Sequence, residues 1–397
     1  MGLLPRRNSF PVFFLLLLFA EPAATHPAAI LWTAPAILVA AMLIAWAAES
    51  AQFFMAQGFA LAILAWLQTL PEFAVEAVFA WKQQVPYLLA NLTGALRLLT
   101  GFGWPVIYFT AAVFHRRREG RPLGRIRLHH HHSVEVIGLV FPLAYMGVVA
   151  AKGTLHTGDA AVLVLLYAAY LWILGKLPPE DPEAMEELEA VPRRIATSPR
   201  RLRIGLIGGF FAAGGVLIYV AAEPFTRSLL ALAVAAGIPA FVFVQWVAPL
   251  VSEFPEMAST FYWARTVDRA PMALMNMVSS NINQWTLLTA MLPVVFSLSR
   301  GEPSAIVFDD QQKIELLLTL GQAVVGMMFL TNMELAWWEA SVMFVFFLAP
   351  FFHAAWAKPM IVVYFGWAGI EMARLIAGQR KPLAFRWFGE IWKAHIR

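Results

Sequence analysis

Two glutamates each follow a proline inside an apolar stretch. Residues 69–76 read TLPEFAVE and residues 252–259 read SEFPEMAS, so Glu72 follows Pro71 and Glu256 follows Pro255. Proline removes a backbone donor and frees a carbonyl one turn back. In lipid such a break survives only beside protein or a water-filled cavity. A carboxylate next to each break gathers acidic groups and freed carbonyl oxygens, the ligands a hard cation prefers. One Pro-Glu alone is more often a kinked helix whose Glu is satisfied by a neighbour. Here there are two, and each is followed by an asparagine, Asn91 in ANLTGA and Asn276 in MNMVSSN. That pairing argues for a site, because buried membrane carboxylates are expensive and tend to be functional.

Further charges fall near these breaks. Glu76 lies four residues after Glu72, and Glu253 lies three before Glu256, so each shares a helix face with its partner. Four carboxylates in one site cannot all ionise without cations or protons beside them. The bland reading is that Glu76 or Glu253 caps or pairs elsewhere. Arg97 sits within the apolar stretch that contains Asn91 and must find a carboxylate. Its partner is either Glu72 or Glu76, where it would act as a fixed internal cation, or an outer glutamate such as Glu49. The run His129–His132 follows a basic segment. Successive helical positions point 100° apart, so four in a row are not expected to converge on one metal. The run reads instead as part of a basic loop near anionic lipid, with weak metal or pH sensing as the lesser reading.

The elements that carry these residues follow from composition. Of 397 residues, 60% are hydrophobic and only 14% charged, which excludes a soluble fold. With no cysteine, disulfides and thiolate metal sites are excluded as well. Apolar stretches of spanning length recur at 30–56, 58–81, 86–114, 134–151, 158–177, 204–236, 238–264, 271–298, 313–331, 335–352 and 360–377. They predict an all-α membrane protein of ten to eleven transmembrane helices. With residue 30 outside, 22 Lys and Arg fall on the inner side and six on the outer, with Arg97 inside a span. That bias fixes the orientation. It also requires 204–236 to be one long helix through Glu223-Pro224. The predicted organisation is a signal-like or extra helix over 1–29, a first repeat over 30–177 and a cytoplasmic linker over 178–203 with a short helix at 183–190. A second repeat plus one further helix covers 204–377, and a basic cytoplasmic tail covers 378–397. The tail sequence FRWFGEIW reads as an amphipathic interfacial segment.

In this topology the two Pro-Glu helices run in opposite directions, which makes the repeat inverted. The Pro-Glu helix followed by an Asn helix, twice, resembles the α-repeats of the cation/Ca²⁺ exchanger superfamily, specifically the sodium/calcium exchanger membrane region. The family pattern is G-T-S-L-P-E followed by G-N-x-x-G-S-N-x-x-N. The resemblance spans most of residues 30–377. It implies antiport of Ca²⁺ for Na⁺ or H⁺ by alternating access, with ions between the Pro-Glu and Asn helices. Carried over by position, Glu72 and Glu256 are the central ligands. Thr69, Ser252, Ser280 and either Asn283 or Gln284 supply further oxygens. Asn91 and Asn276 support them, with Glu76, Glu253 and Arg97 as accessory residues. The first repeat departs from the pattern, with Ala95 at a family serine and Leu99 at a family asparagine. These departures and Arg97 motivate a second reading, an exchanger-fold membrane protein with altered or lost transport that binds or regulates. No phosphate loop, nucleophile elbow or dinucleotide fingerprint is present, so neither an enzyme nor a cofactor is expected. The expected partners are the transported cations and the lipid bilayer, not nucleic acid. The expected location is a bacterial inner (plasma) membrane, crossed many times.

Overall fold

A computed structural model describes residues 26–51, 69–177 and 190–396. Most of the N-terminal segment, the first part of the second apolar stretch and all but the last residue of the linker helix expected at 183–190 lie outside the described residues. Each of the eleven apolar stretches carries helix where it is described. The first repeat comprises α1 (Ile30–Ala51), α2 (Leu70–Trp81), α3 (Val85–Arg97), α4 (Trp104–Glu119), α5 (Ser133–Lys152) and α6 (Thr157–Leu174). A short helix α7 (Ala190–Ala196) leads into the second, made of α8 (Arg200–Ala235), α9 (Ala240–Ser252), α10 (Phe254–Ala264), α11 (Ala270–Asn283), α12 (Thr289–Arg300), α13 (Asp310–Leu330) and α14 (Trp337–Phe352). Two more helices follow, α15 (Ala357–Ile376) and α16 (Leu383–Ile391), the latter continued by a π-helical stretch, Trp392–Ile396.

Prolines set where the central helices start. Pro71, Pro86, Pro255 and Pro271 all lie in the first turn of α2, α3, α10 and α11. At that position the missing N–H has no intrahelical acceptor to lose. Pro224, in contrast, lies within α8, which runs unbroken for 36 residues. A short π-helical stretch, Leu98–Gly103, joins α3 to α4, and another, Gln284–Leu288, joins α11 to α12. The two wide turns interrupt the two Asn helices at corresponding places, and such bulges are frequent at functional sites.

The packing is symmetric between the halves. α2 lies against α3 of its own repeat and α12 of the other, and α10 lies against α11 and α4. α1 and α8 run along each other. Both helices bury small residues, with Ala36, Ala40, Ala47, Ala48 and Ala221 fully buried. A Cβ added to Gly214 in the seam would lie 2.7 Å from Ile44 Cγ1 and 3.0 Å from the Ala40 carbonyl oxygen. Without a hydrophobic force between helices in lipid, close backbone approach of this kind supplies the attraction. Thr33 Oγ1 and Ser228 Oγ add a hydrogen bond of 2.9 Å across the seam.

Two short antiparallel ribbons, which hydropathy does not foretell, join the repeats. β1 (Arg125–Arg127) pairs with β4 (Glu334–Ala336), with Ile126 opposite Leu335. β2 (Thr154–Leu155) pairs with β3 (Ile306–Val307). β1 precedes α5 and β2 follows it, so the ribbons lie at opposite ends of that helix.

The basic tail is tied to the bundle. Arg380 is buried and pairs with Glu339 at 2.6 Å and Glu371 at 2.8 Å. Ala384 N donates to the Thr331 carbonyl at 2.9 Å and fixes the start of α16.

The α3–α9 contact is the tightest backbone approach among the described glycines. A Cβ on Gly94 would fall 2.0 Å from the Gln245 carbonyl oxygen. Gly94→Ala is therefore expected to push α9 away and cost about 1–3 kcal/mol. A lowered unfolding temperature in detergent checks this; an unchanged one would mean the two helices have room.

Candidate cation site

Glu72 lies in the first turn of α2 and Glu256 in the first turn of α10. The two Pro-Glu pairs thus stand at helix starts, not in mid-helix as the apolar stretches suggest. Glu253 is the single residue between α9 and α10. A helix N-terminus carries partial positive charge and suits a carboxylate. All four glutamates are buried: Glu72 and Glu253 are 2% exposed, Glu76 0% and Glu256 9%.

The carboxyl groups form a chain. Glu253 stands between Glu72 and Glu256, close enough for neighbouring carboxyl groups to share a proton. The Gln284 amide, at the start of the second π-helical turn, bridges two of them. Its Nε2 donates to Glu72 Oε2 at 2.8 Å and to Glu253 Oε1 at 2.5 Å. Ser280 Oγ donates to Glu256 Oε1, and Asn276 Nδ2 reaches the same oxygen at 3.2 Å. Asn91 Nδ2 donates to Glu76 Oε1 at 2.9 Å. Asn283 Nδ2 donates to Thr69 Oγ1 at 2.7 Å, a bond from one repeat to the other.

Most residues expected at the site from sequence are therefore brought together: Glu72, Glu76, Glu253 and Glu256 with Asn91, Asn276, Ser280, Thr69 and Asn283. Two details differ from the sequence expectation. Glu253 stands between Glu72 and Glu256 and is not an accessory. Of the two alternatives, Asn283 and Gln284, it is Gln284 that touches the carboxylates. Ser252 Oγ donates back to the Ala248 carbonyl of its own helix at 3.3 Å.

Arg97 is a correction, since it pairs with neither a site glutamate nor Glu49. Its guanidinium meets Glu315 of α13 at 3.0 Å and lies 5.3 Å from the centre of the Trp246 ring. Gln245 Nε2 holds the same carboxylate at 2.8 Å. Arg97 lies six residues after Asn91, about 240° around the helix, so it faces a different neighbour. Glu315 and Gln245 are residues that sequence reasoning missed, and so is Thr100, whose hydroxyl donates to Asn281 Oδ1 at 3.0 Å. Each was legible only as a lone polar group in an apolar stretch.

Several buried oxygens around the cluster accept no hydrogen bond: Glu72 Oε1, Glu76 Oε2, Asn91 Oδ1, Asn283 Oδ1 and Gln284 Oε1. Buried polar atoms are nearly always paired, so five acceptors left over in one place need an explanation. All five are hard oxygen donors of the type that Ca²⁺ takes six to eight of.

Comparison with known proteins adds to this geometry. Residues 26–176 and 206–355 match the family model described as sodium/calcium exchanger protein. The chain belongs to that family, and it is an integral, multi-pass membrane protein. The two matched blocks correspond to the two inverted repeats. Among solved structures it is similar to one titled as the H⁺/Ca²⁺ exchanger CAX, with 30% identity and a TM-score of 0.84 over 96% of this chain and 94% of that one. The structure of native YfkE shares the fold at 13% identity, with a TM-score of 0.57 over 89% of this chain and 96% of the other. The sodium-calcium exchanger NCX_Mj does so at 16% identity and a TM-score of 0.53, covering 86% of this chain and 98% of its own. Among curated proteins no sequence matches.

The Arg97–Glu315 pair generates a double-mutant test. Arg97→Met leaves a mostly buried carboxylate without its cation and is expected to cost about 3–5 kcal/mol. Adding Glu315→Gln removes the stranded charge and should restore most of that loss. Unfolding temperatures of the two single variants and the double variant measure the coupling. Additive effects would show that the pair is not the unit described.

Proposed function

We propose that this protein exchanges Ca²⁺ for protons across the membrane, by alternating access to the Glu72–Glu253–Glu256 cluster. The observation that carries the cation half is the set of buried acceptor oxygens, on both carboxylates and amides, that have no donor. A divalent ion would draw on them together with the carboxylates of Glu253 and Glu256. The carboxyl chain supports protons as the counter-ion. A hydrogen bond between two carboxyl groups needs a proton on one of them, so neighbouring carboxyls of this cluster would be linked in a proton-loaded form. Ca²⁺ entry would break these contacts and expel the protons, while proton return would rebuild them and release Ca²⁺. Competition of two cations for one negative site is enough for exchange once the site opens to each side in turn. The 30% identical structure titled as an H⁺/Ca²⁺ exchanger agrees with this choice of ions. Loss of transport finds less support, because Arg97 is neutralised by Glu315 and does not stand in the cluster as a substitute cation.

The test is Ca²⁺ uptake into proteoliposomes driven by an imposed pH gradient. Wild type should take up Ca²⁺, and Glu72→Gln, Glu253→Gln and Glu256→Gln should each fall to the level of empty vesicles. A Na⁺ gradient at equal pH should drive none. Undiminished uptake by Glu72→Gln or Glu256→Gln would remove these residues from the site, and Na⁺-driven uptake would replace the proton as counter-ion.

A further inference from the structure

The His129–His132 run behaves differently from the helical expectation. It is not helical: it forms a bend and turn between the β1–β4 ribbon and the first turn of α5. The 100° argument therefore does not apply. The chain is fixed on both sides of the turn. Leu128 N donates to the Met333 carbonyl at 2.9 Å, which closes the ribbon. Val134 N donates to the His131 carbonyl at 3.1 Å and Val136 N to that of His132 at 3.3 Å, which start α5.

We propose that His129, His131 and His132 form a binding site for one transition-metal ion of the Zn²⁺, Co²⁺ or Ni²⁺ class, separate from the carboxylate site. One ring nitrogen from each of the three lies within 4.8 Å of the others. The ring centres are close as well: 4.2 Å for His131 and His132, 5.1 Å for His129 and His132, and 5.5 Å for His129 and His131. Metal–nitrogen bonds of about 2.1 Å in tetrahedral geometry place two ligand atoms roughly 3.4 Å apart. Rotation about the side-chain bonds of the two more exposed residues covers the remaining gap. His132 is only 4% exposed and is the fixed wall of the site. The His129 amide donates to His132 Nδ1 at 3.2 Å, so that nitrogen's lone pair already points into the turn. A metal ion would take it in place of the amide. Three imidazoles select a borderline metal and not the Ca²⁺ or Mg²⁺ that the carboxylates suit. Three protein ligands also leave a position open to water.

His130 is the internal control. It points away from the other three, with Nε2 3.0 Å from Glu390 Oε2 and its ring 5.3 Å from that of Trp387, both on α16. A built site and a merely exposed histidine run thus differ in what His130 contributes. A bound ion would brace the turn between the ribbon and α5, beside the point where α16 is held.

The experiment is a Co²⁺ titration of the full chain, purified in detergent with a tag that contains no histidine and stripped of metal, followed by visible absorption. One Co²⁺ per chain is expected, with the d–d bands of nitrogen ligation and no displacement by excess Ca²⁺. His129→Ala and His131→Ala should each weaken binding at least tenfold, and His130→Ala should stay within twofold of wild type. Unfolding temperatures matched to wild type show that these variants are folded, and they carry the test because His132 is buried. Absence of binding, displacement by Ca²⁺, or an equal loss with His130→Ala would overturn the site.

Discussion

Burying four carboxyl groups in a membrane is the constraint that the rest of this structure answers. An isolated carboxylate in hydrocarbon costs several kcal/mol or more. Here Glu72, Glu253 and Glu256 are held by one another and by one amide, Gln284, that reaches two of them at once. The arrangement stays favourable only when protons or a cation accompany the negative charge. A group of this kind is therefore defined by its occupants as much as by its residues. That property suits a protein whose task is to trade one ion for another.

The helices appear where this cluster needs them. Pro71 and Pro255 start α2 and α10 so that a carboxylate lies in each first turn. The π-helical turns after α3 and α11 widen the Asn helices at matching depth, and one of them presents Gln284. Gly94 lets α9 approach α3 without a side chain between them. Arg97 is neutralised on the far side by Glu315, with Gln245 as a second partner to the same carboxylate, so its charge does not cancel that of the site. The second repeat brings Glu253 and Gln284 to Glu72 of the first, so the polar groups of the cluster come mostly from the second half of the chain.

Much of this was legible in the residues. The two Pro-Glu pairs, their spacing to Asn91 and Asn276 and the lengths of the apolar stretches led to the inverted repeat and to most of the site. The misses share a cause. A helix break moves neighbours by more than periodicity allows, so Glu253 between two helices became the centre of the carboxyl chain. Arg97 met Glu315, more than 200 residues away in sequence, and no local pattern encodes that contact. Helical angles do not apply to the histidine run, because the ribbon before it holds the chain in a turn. That ribbon is itself invisible to hydropathy, since its partner strands are three residues each and belong to different repeats.

The two ribbons have a mechanical consequence. Each joins a loop of the first repeat to a loop of the second, one ribbon at each end of α5. They fasten α4, α5 and α6 to α12, α13 and α14 at top and bottom, like two hoops around a barrel of staves. Among the described residues α1 and α8 join no ribbon, and they meet along their length through side chains that include Ile44, Thr33 and Ser228. At both ends of α5, then, the loops of one repeat are held to the loops of the other by backbone hydrogen bonds that no side-chain truncation removes.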